Sequence, residues 1–468
     1  MNKKTRNILL IIILVAILLR IFWFNTIIER DEATFGQVAW RMSTGEKLYE
    51  NISEFKPPGI FLTYLIGIEI FGNNIYGPRI INDLLFIISI IFLYLLVKRL
   101  KDEKTGLISA AAYVFLMNVP FYQGFMAMTE PFANYFIIIT AYLLTTKTKK
   151  YWVLILAGIS TLIALGFKQP AAILIVPMTY LLFEGKEKTK RILVYFTPII
   201  TSILFLAVIF RNYYSAIKNI VNYVIKSYIG NTTTPMKYVP IHYFILIISQ
   251  GIIMWYLAIV WIINFLKIKT KTRNDKFILI WFLCGLVAAI IPPSYGHYYI
   301  FLIAPASIMI GETIAQNFKK KSFLIILVIL IVISLLAQST QWNGMTINTK
   351  NNIYATYSGF ITKQSQRETI NFLKNNLNEN ETFIAFGWDP ELYWLTKRKP
   401  PTKSVSFFKP EHFLETIKNK NVKYILIFNE QRNRYEELFY NNKTIRLELN
   451  NYELIDDSDP QILKKVKK

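Results

Sequence analysis

Apolar runs of spanning or near-spanning length recur at about 8–28, 79–97, 105–120, 131–146, 151–167, 170–184, 192–210, 241–266, 276–292, 298–316 and 322–338. A helix rises about 1.5 Å per residue and membrane hydrocarbon is about 30 Å thick, so roughly twenty residues cross it. Only 18% of the residues are charged and 53% are hydrophobic, too apolar a balance for the surface of a soluble protein this long. The expected architecture over residues 1–340 is therefore a polytopic all-α membrane domain of about 11 transmembrane helices. The first run follows Lys3, Lys4 and Arg6 and lacks a small-residue cleavage site. It reads as a retained spanning helix, not a signal peptide.

The formal charge of +23 does not point to nucleic acid, because Lys and Arg sit in short clusters between apolar runs, as in cytoplasmic membrane loops. Cys284 is the one cysteine, so neither a disulfide framework nor a cysteine-based metal site can form within one chain.

A twelfth run, Pro57 to Gly72, is only sixteen residues long. If it does not cross, the clusters around Lys98–Lys101, Lys147–Lys150, Lys186–Arg191, Lys267–Lys276 and Lys319–Lys321 all fall on the side of the N-terminus. If it crosses, all of them fall outside, against the positive-inside rule. The run thus reads as a re-entrant or interfacial helix on the outer face. The N-terminus is then cytoplasmic in a multi-pass cell-membrane protein. Residues 29–56, 121–130, 168–169, 211–240, 292–297 and everything after Gln338 are extracytoplasmic. Four Asn-x-Ser/Thr sequons, at Asn51, Asn231, Asn380 and Asn442, all lie on that side.

From about residue 341 to 468 charge rises and long apolar runs stop. Residues 367–376 and 411–418 read as helices, and 382–386, 422–428 and 452–455 as strands. This is a small α/β soluble domain with a core of its own.

The polar residues that could carry chemistry gather on the outer side. Glu29-Arg30-Asp31-Glu32 follows the first span and would otherwise be a solvated loop. Phe55-Lys56-Pro57-Pro58-Gly59 fixes backbone geometry at a helix start and would hold Lys56 at the interface. Thr129-Glu130-Pro131 opens a span, where a carboxylate also serves the helix dipole. Lys168-Gln169-Pro170 puts a lysine on the side that the charge bias disfavours, and a phosphate partner would supply the reason. The last segment runs from Pro292 to Tyr299, with His297 in an aromatic belt.

The order of the acidic pair, Gly45, Lys56-Pro57-Pro58, Phe71-Gly72 and Arg79 resembles the GT-C glycosyltransferases. The resemblance is to the protein O-mannosyltransferase and lipid A aminoarabinose transferase branches. Glu130, Lys168 and His297-Tyr298-Tyr299 fit more loosely, and Phe386-Gly387-Trp388 to Tyr393 with Arg398-Lys399-Pro400 looks like an outer-domain signature of some relatives. Two features depart from the pattern. Glu130 stands where many members have Asp, and the C-terminal domain does not read as the β-rich module of eukaryotic protein mannosyltransferases.

The resemblance implies sugar transfer from a polyprenyl-phosphate donor to an acceptor hydroxyl on a lipid, glycan or protein. The phosphate leaves as a stable anion, so the chemistry needs a base and no general acid. Asp31 is the expected base, supported by Glu32 or Glu130. Lys56, Arg79, Lys168 and His297 are the expected phosphate ligands, and Tyr298 and Tyr299 the acceptor or sugar contacts. The sequence points to no particular cofactor, and a divalent metal between Asp31 and Glu130 is an option the residues leave open. The competing class is a transporter or lipid flippase, which would place charge in mid-helix and often repeat itself in two halves. An assembly protein with an outer receptor domain would need neither the acidic pair nor Lys-Pro-Pro. Spans nearly free of mid-helix charge, with polar residues at the outer ends, favour an enzyme at the interface.

Overall fold

The structure is a computed structural model. It describes every residue except 1, 25, 27, 147–149, 184–186, 210–240, 291–294, 346–362, 387–389, 404–412, 415, 418–421, 430–431, 459 and 467–468. The Asn231 sequon, Pro292 to Ser294, Gly387-Trp388 and half of the expected helix 411–418 lie outside the described residues. The chain divides into two compact units. The first is Met1–Asn25, Lys56–Ile60 and Arg79–Asn343; the second is Thr26–Phe55, Phe61–Pro78 and Gly344–Lys468.

In the first unit the apolar runs all fold as helices. They are α1 (Lys3–Trp23), α4 (Tyr76–Leu100), α5 (Glu103–Met117), α6 (Thr129–Leu144), α7 (Tyr151–Phe167), α8 (Ile175–Tyr180), α9 (Lys188–Ile209), α10 (Ile241–Gln250), α11 (Ile252–Lys267), α12 (Arg273–Ile290), α13 (Ile300–Asn317) and α14 (Lys321–Met345). Among the described residues four helices are long and apolar enough to span a membrane: Lys3–Trp23, Tyr76–Leu100, Gly296–Asn317 and Lys321–Ser339. That is fewer than the eleven expected. Several runs are shorter than a span as helices, and two are interrupted, 241–266 between α10 and α11 and 170–184 by the 3-10 turn Gln169–Leu174.

Small and hydroxylated residues let these helices approach closely, as is common where lipid removes the hydrophobic drive between them. A Cβ on Gly158 of α7 would sit 2.2 Å from the Tyr195 carbonyl oxygen of α9. Beside that contact Thr161 shares a 2.8 Å hydrogen bond with the Tyr195 hydroxyl.

The ends of α4, α11, α12 and α13 meet in a polar knot. Lys101 bonds the Asp275 carboxylate and donates to Glu312 at 2.7 Å, and Trp261 donates to the other Glu312 oxygen at 2.7 Å. The Lys101 side chain is 13% exposed. Truncating it leaves two shielded carboxylates without their cation. Lys101→Ala is therefore expected to lower stability by about 3–5 kcal/mol, and Lys101→Arg by clearly less. Denaturant unfolding of the purified chain in detergent checks this.

The second unit holds a four-stranded sheet in the order β1-β2-β4-β3. The strands are β1 (Thr382–Phe386), β2 (Val422–Ile427), β3 (Tyr452–Asp456) and β4 (Gln461–Lys465). β1 and β2 are parallel; β4 is antiparallel to β2 and β3. β1 and β2 are near-continuous apolar runs, as strands covered on both faces are. Tyr393 shows how α16 (Pro390–Thr396) is fixed to β1. Its ring stacks on Phe383 with centroids 4.4 Å apart, and its hydroxyl donates to the Phe383 carbonyl at 3.1 Å. Helices α15 (Lys363–Asn376), α17 (Arg432–Asn441) and α18 (Lys443–Leu449) complete the layer, and Leu373, Tyr435, Ile445 and Leu449 join the core.

Two further helices of this unit come from early in the chain, α2 (Arg30–Ser43) and most of α3 (Gly59–Phe71). α3 is the interfacial candidate of the sequence. α2 takes the place of the expected loop.

Candidate active site

Each unit carries part of the expected chemistry. In the first unit, Glu130 sits in the opening turn of α6, ahead of its apolar stretch, and is 1% exposed. Lys168, just past the end of α7, brings its ammonium 2.6 Å from Glu130 Oε1. His297, in the 3-10 turn Gly296–Tyr299 before α13, has Nε2 3.8 Å from the same oxygen. Thr129 donates to Glu130 Oε2 at 2.8 Å. Burial works to raise the Glu130 carboxyl, but Lys168 first, then His297 and the hydrogen bonds, outweigh it and hold the group down at about 2.

Aromatic contacts set these ends in place. Phe132 of α6 stacks on Phe167 of α7 at 4.9 Å. The Tyr298 ring lies 4.5 Å from the Lys168 ammonium, a cation–π contact. Tyr299 faces the Tyr122 ring at 6.4 Å and Trp255 at 6.2 Å. The Lys56-Pro57-Pro58-Gly59 segment reaches the same end of α7: a Cβ on Gly59 would be 2.6 Å from the Gly166 carbonyl oxygen. Lys56 is 8% exposed. Arg79 is buried at the start of this unit's α4 segment and donates to the Phe24 carbonyl at 3.0 Å. The seven expected residues of this unit thus lie at or beside helix ends. His297 and Glu312 mark opposite ends of the Gly296–Asn317 helix, roughly 22 Å apart at 1.5 Å per residue, so this cluster and the Lys101 knot face opposite ends of the bundle.

In the second unit, Asp31 and Glu32 occupy the first turn of α2. Glu29 caps that helix: its carboxylate accepts from the Asp31 amide, and Glu32 reaches back to the Glu29 amide at 3.2 Å. Glu32 is fully buried. Burial, then the nearby Asp31 and Glu32 charges, push the Glu29 carboxyl well above the usual carboxylate range. The helix is gripped from the C-terminal domain. The Trp394 ring lies where a Cβ on Gly36 would be, 2.4 Å away. Trp394 donates to Asn73 Oδ1 at 2.6 Å, and the Asn73 amide returns a bond to the Trp394 carbonyl at 3.1 Å. Further along, Arg41 binds Glu46 at 2.6 Å and the Lys403 carbonyl at 3.3 Å, and Lys399 pairs with Glu46 at 2.8 Å.

Two structural features were not expected from the sequence. Gln123, in the left-handed region at φ 54, pairs its Oε1 with His297 Nδ1 at 3.1 Å. The spans also carry more charge than expected, since Arg20 of α1 and Asp83 of α4 form a shielded ion pair at 3.5 Å. A lone Arg in an apolar run was the available signal. Among the described residues no group of three or more His, Cys, Asp or Glu is arranged to hold a metal ion.

Residues 55–214 match the family described as dolichyl-phosphate-mannose-protein mannosyltransferase. No curated protein sequence matches the chain. Among solved structures the fold is similar to ArnT from Cupriavidus metallidurans bound to undecaprenyl phosphate, at 12% identity and TM-score 0.65, covering 97% of both chains. It is also similar to the archaeal oligosaccharyltransferase AglB from Archaeoglobus fulgidus in complex with an inhibitory peptide and a dolichol-phosphate. That match has 11% identity and TM-score 0.61, over 99% of this chain and 74% of that one. The chain thus shares the fold of ArnT and AglB, and its residues 55–214 are similar to the dolichyl-phosphate-mannose-protein mannosyltransferase family.

Proposed function

We propose that the chain moves a sugar from a polyprenyl-phosphate donor to an acceptor hydroxyl on the extracytoplasmic face, with its N-terminus cytoplasmic. The observation that carries this reading is the buried Glu130–Lys168–His297 cluster at the helix ends of a GT-C fold. The donor class draws support from the undecaprenyl phosphate and dolichol-phosphate held by the two similar structures. The acceptor is a lipid, glycan or protein hydroxyl.

In this reading Asp31 takes the proton of the acceptor hydroxyl as its oxygen attacks the anomeric carbon. The bond from that carbon to the phosphate oxygen breaks, and its electron pair leaves on the phosphate. Glu32, buried behind Asp31 in the capping box, keeps the first turn of α2 in place. Lys56 and Arg79 supply positive charge to the phosphate, and Lys168 and His297 present theirs from a fixed position beside Glu130. Tyr298 and Tyr299 offer ring faces and hydroxyls to the sugar or acceptor.

The test is transfer of radiolabelled sugar from polyprenyl-phosphate donors in membranes holding wild type or Asp31→Asn. A general base contributes about 10²–10⁴-fold, so Asp31→Asn is expected to lower transfer at least about a hundredfold at normal membrane level. Equal transfer by both would remove Asp31 as base. A wild type that transfers nothing from any donor would sink the enzyme reading.

A further inference from the structure

Arg20 is charged, 4% exposed, and sits one turn from the end of an otherwise apolar helix. Asp83 alone would answer its need for a counter-ion, yet the guanidinium does more than pair. Its Nη1 donates to the Gly124 carbonyl at 2.8 Å while Nε faces Asp83 Oδ1 at 3.5 Å. Its carbon lies 4.0 Å from the centre of the Phe86 ring. Asn82 points a second, longer donor at the same carbonyl, 3.5 Å away, and is itself fixed by the Tyr135 hydroxyl at 3.1 Å. One residue further on, Phe125 stacks on Trp23 of α1 with centroids 4.3 Å apart and planes 8° from parallel. The last turn of α1 therefore grips residues 124 and 125.

The gripped loop has little choice of position. Gln123 holds a left-handed backbone, which persists in a non-glycine residue only where its surroundings impose it. A Cβ on Gly124 would be 2.5 Å from the Met117 carbonyl oxygen. On the other side, a Cβ on Gly296 would meet the Phe121 carbonyl oxygen at 2.3 Å, so the turn carrying His297 rests directly on this loop. The side-chain link is Gln123 to His297, and His297 in turn faces Glu130.

We propose that Arg20 is a positioning residue, which fixes the Gln123–Gly124 loop and through Gln123 aims His297 at the Glu130–Lys168 pair. Its part in transfer rests on the function proposed above; its part in placing His297 does not. Lysine cannot replace it, because a single ammonium lacks the planar fork that reaches a carbonyl and a carboxylate together.

The experiment uses the full chain in lipid nanodiscs, as wild type, Arg20→Lys, Gln123→Ala and the double variant. The rate of His297 modification by diethyl pyrocarbonate is followed by peptide mass spectrometry, with His242 and His412 as internal references, beside kcat and KM for transfer. Arg20→Lys is expected to label His297 about tenfold faster at unchanged reference rates. A misplacement of about 1 Å costs on the order of a hundredfold, so kcat should fall by about that factor with little change in KM. Gln123→Ala should match it, and the double variant should add nothing, as two links of one chain do. Wild-type labelling and kcat in Arg20→Lys, or full additivity in the double variant, would overturn the proposal. If Arg20→Lys fails to assemble, Gln123→Ala and Asp83→Asn carry the same comparison. A wild type inactive with every donor would refute the proposed function, and the labelling rates alone would then decide the role of Arg20.

Discussion

Glu130→Ala is expected to abolish measurable transfer, a loss of more than about 10³-fold. Two effects combine. Removal of one preorganised electrostatic group costs about 10²–10³-fold. Lys168 and the turn carrying His297 also lose the group that fixes them, and a misplaced binding group costs on the order of another hundredfold. Stability should fall by about 3–5 kcal/mol, because the Lys168 ammonium is left shielded from water with its ion pair broken. The pair variant Glu130→Ala with Lys168→Met should regain most of that stability and none of the activity, which separates the two effects. The pH dependence has a fixed sign. Glu130 is held at about 2 in the fold, below the ordinary glutamate value near 4.3. Its contribution is complete above the unfolded value and is lost as pH falls from about 4.3 towards 2. Acid unfolding of wild type and Glu130→Gln should converge at the bottom of that window.

Trp394→Ala should cost about 3–5 kcal/mol, the usual range for emptying a buried tryptophan site. Trp394 is fully buried. Its loss also removes the indole bond to Asn73 Oδ1 and opens a hole against Gly36 of α2. Because Asp31 lies on the first turn of that helix, transfer should fall with stability. Trp394→Phe should restore the ring contact with Gly36 but not the bond to Asn73, and so recover part of both. Thermal unfolding in detergent and transfer rates measure the two losses. Wild-type behaviour in Trp394→Ala would mean that α2 is held by the Arg41–Glu46–Lys399 contacts alone.

What could be read from the chain follows from where its signals are local. Ile425, Leu426 and Ile427 lie in an apolar run that only a covered strand suits, so β2 was legible, as were β1 and β3. β4 was not, because Gln461–Lys465 has two apolar residues and gains its place from pairing with β2 and β3. α2 was hidden for a similar reason. Its buried residues include Glu32, Gln37 and Arg41, which look like a solvated loop until distant partners cover them. For Glu130, Lys168 and His297 the residue types and their place at the ends of apolar runs were legible. That Lys168 spends its charge on Glu130, and that Gln123 stands behind His297, depends on contacts between segments far apart in sequence.

The partnership of Gly36 with Trp394 also sets an order of events during synthesis. Helix α2 leaves the ribosome early, but the ring that seats against it comes when most of the chain has been made. A nascent or prematurely terminated chain can insert its early helices into the membrane while the carboxylates of α2 still lack their final support. Under the proposed function, the first turn of α2 with Asp31 gains this support only once Trp394 has been made.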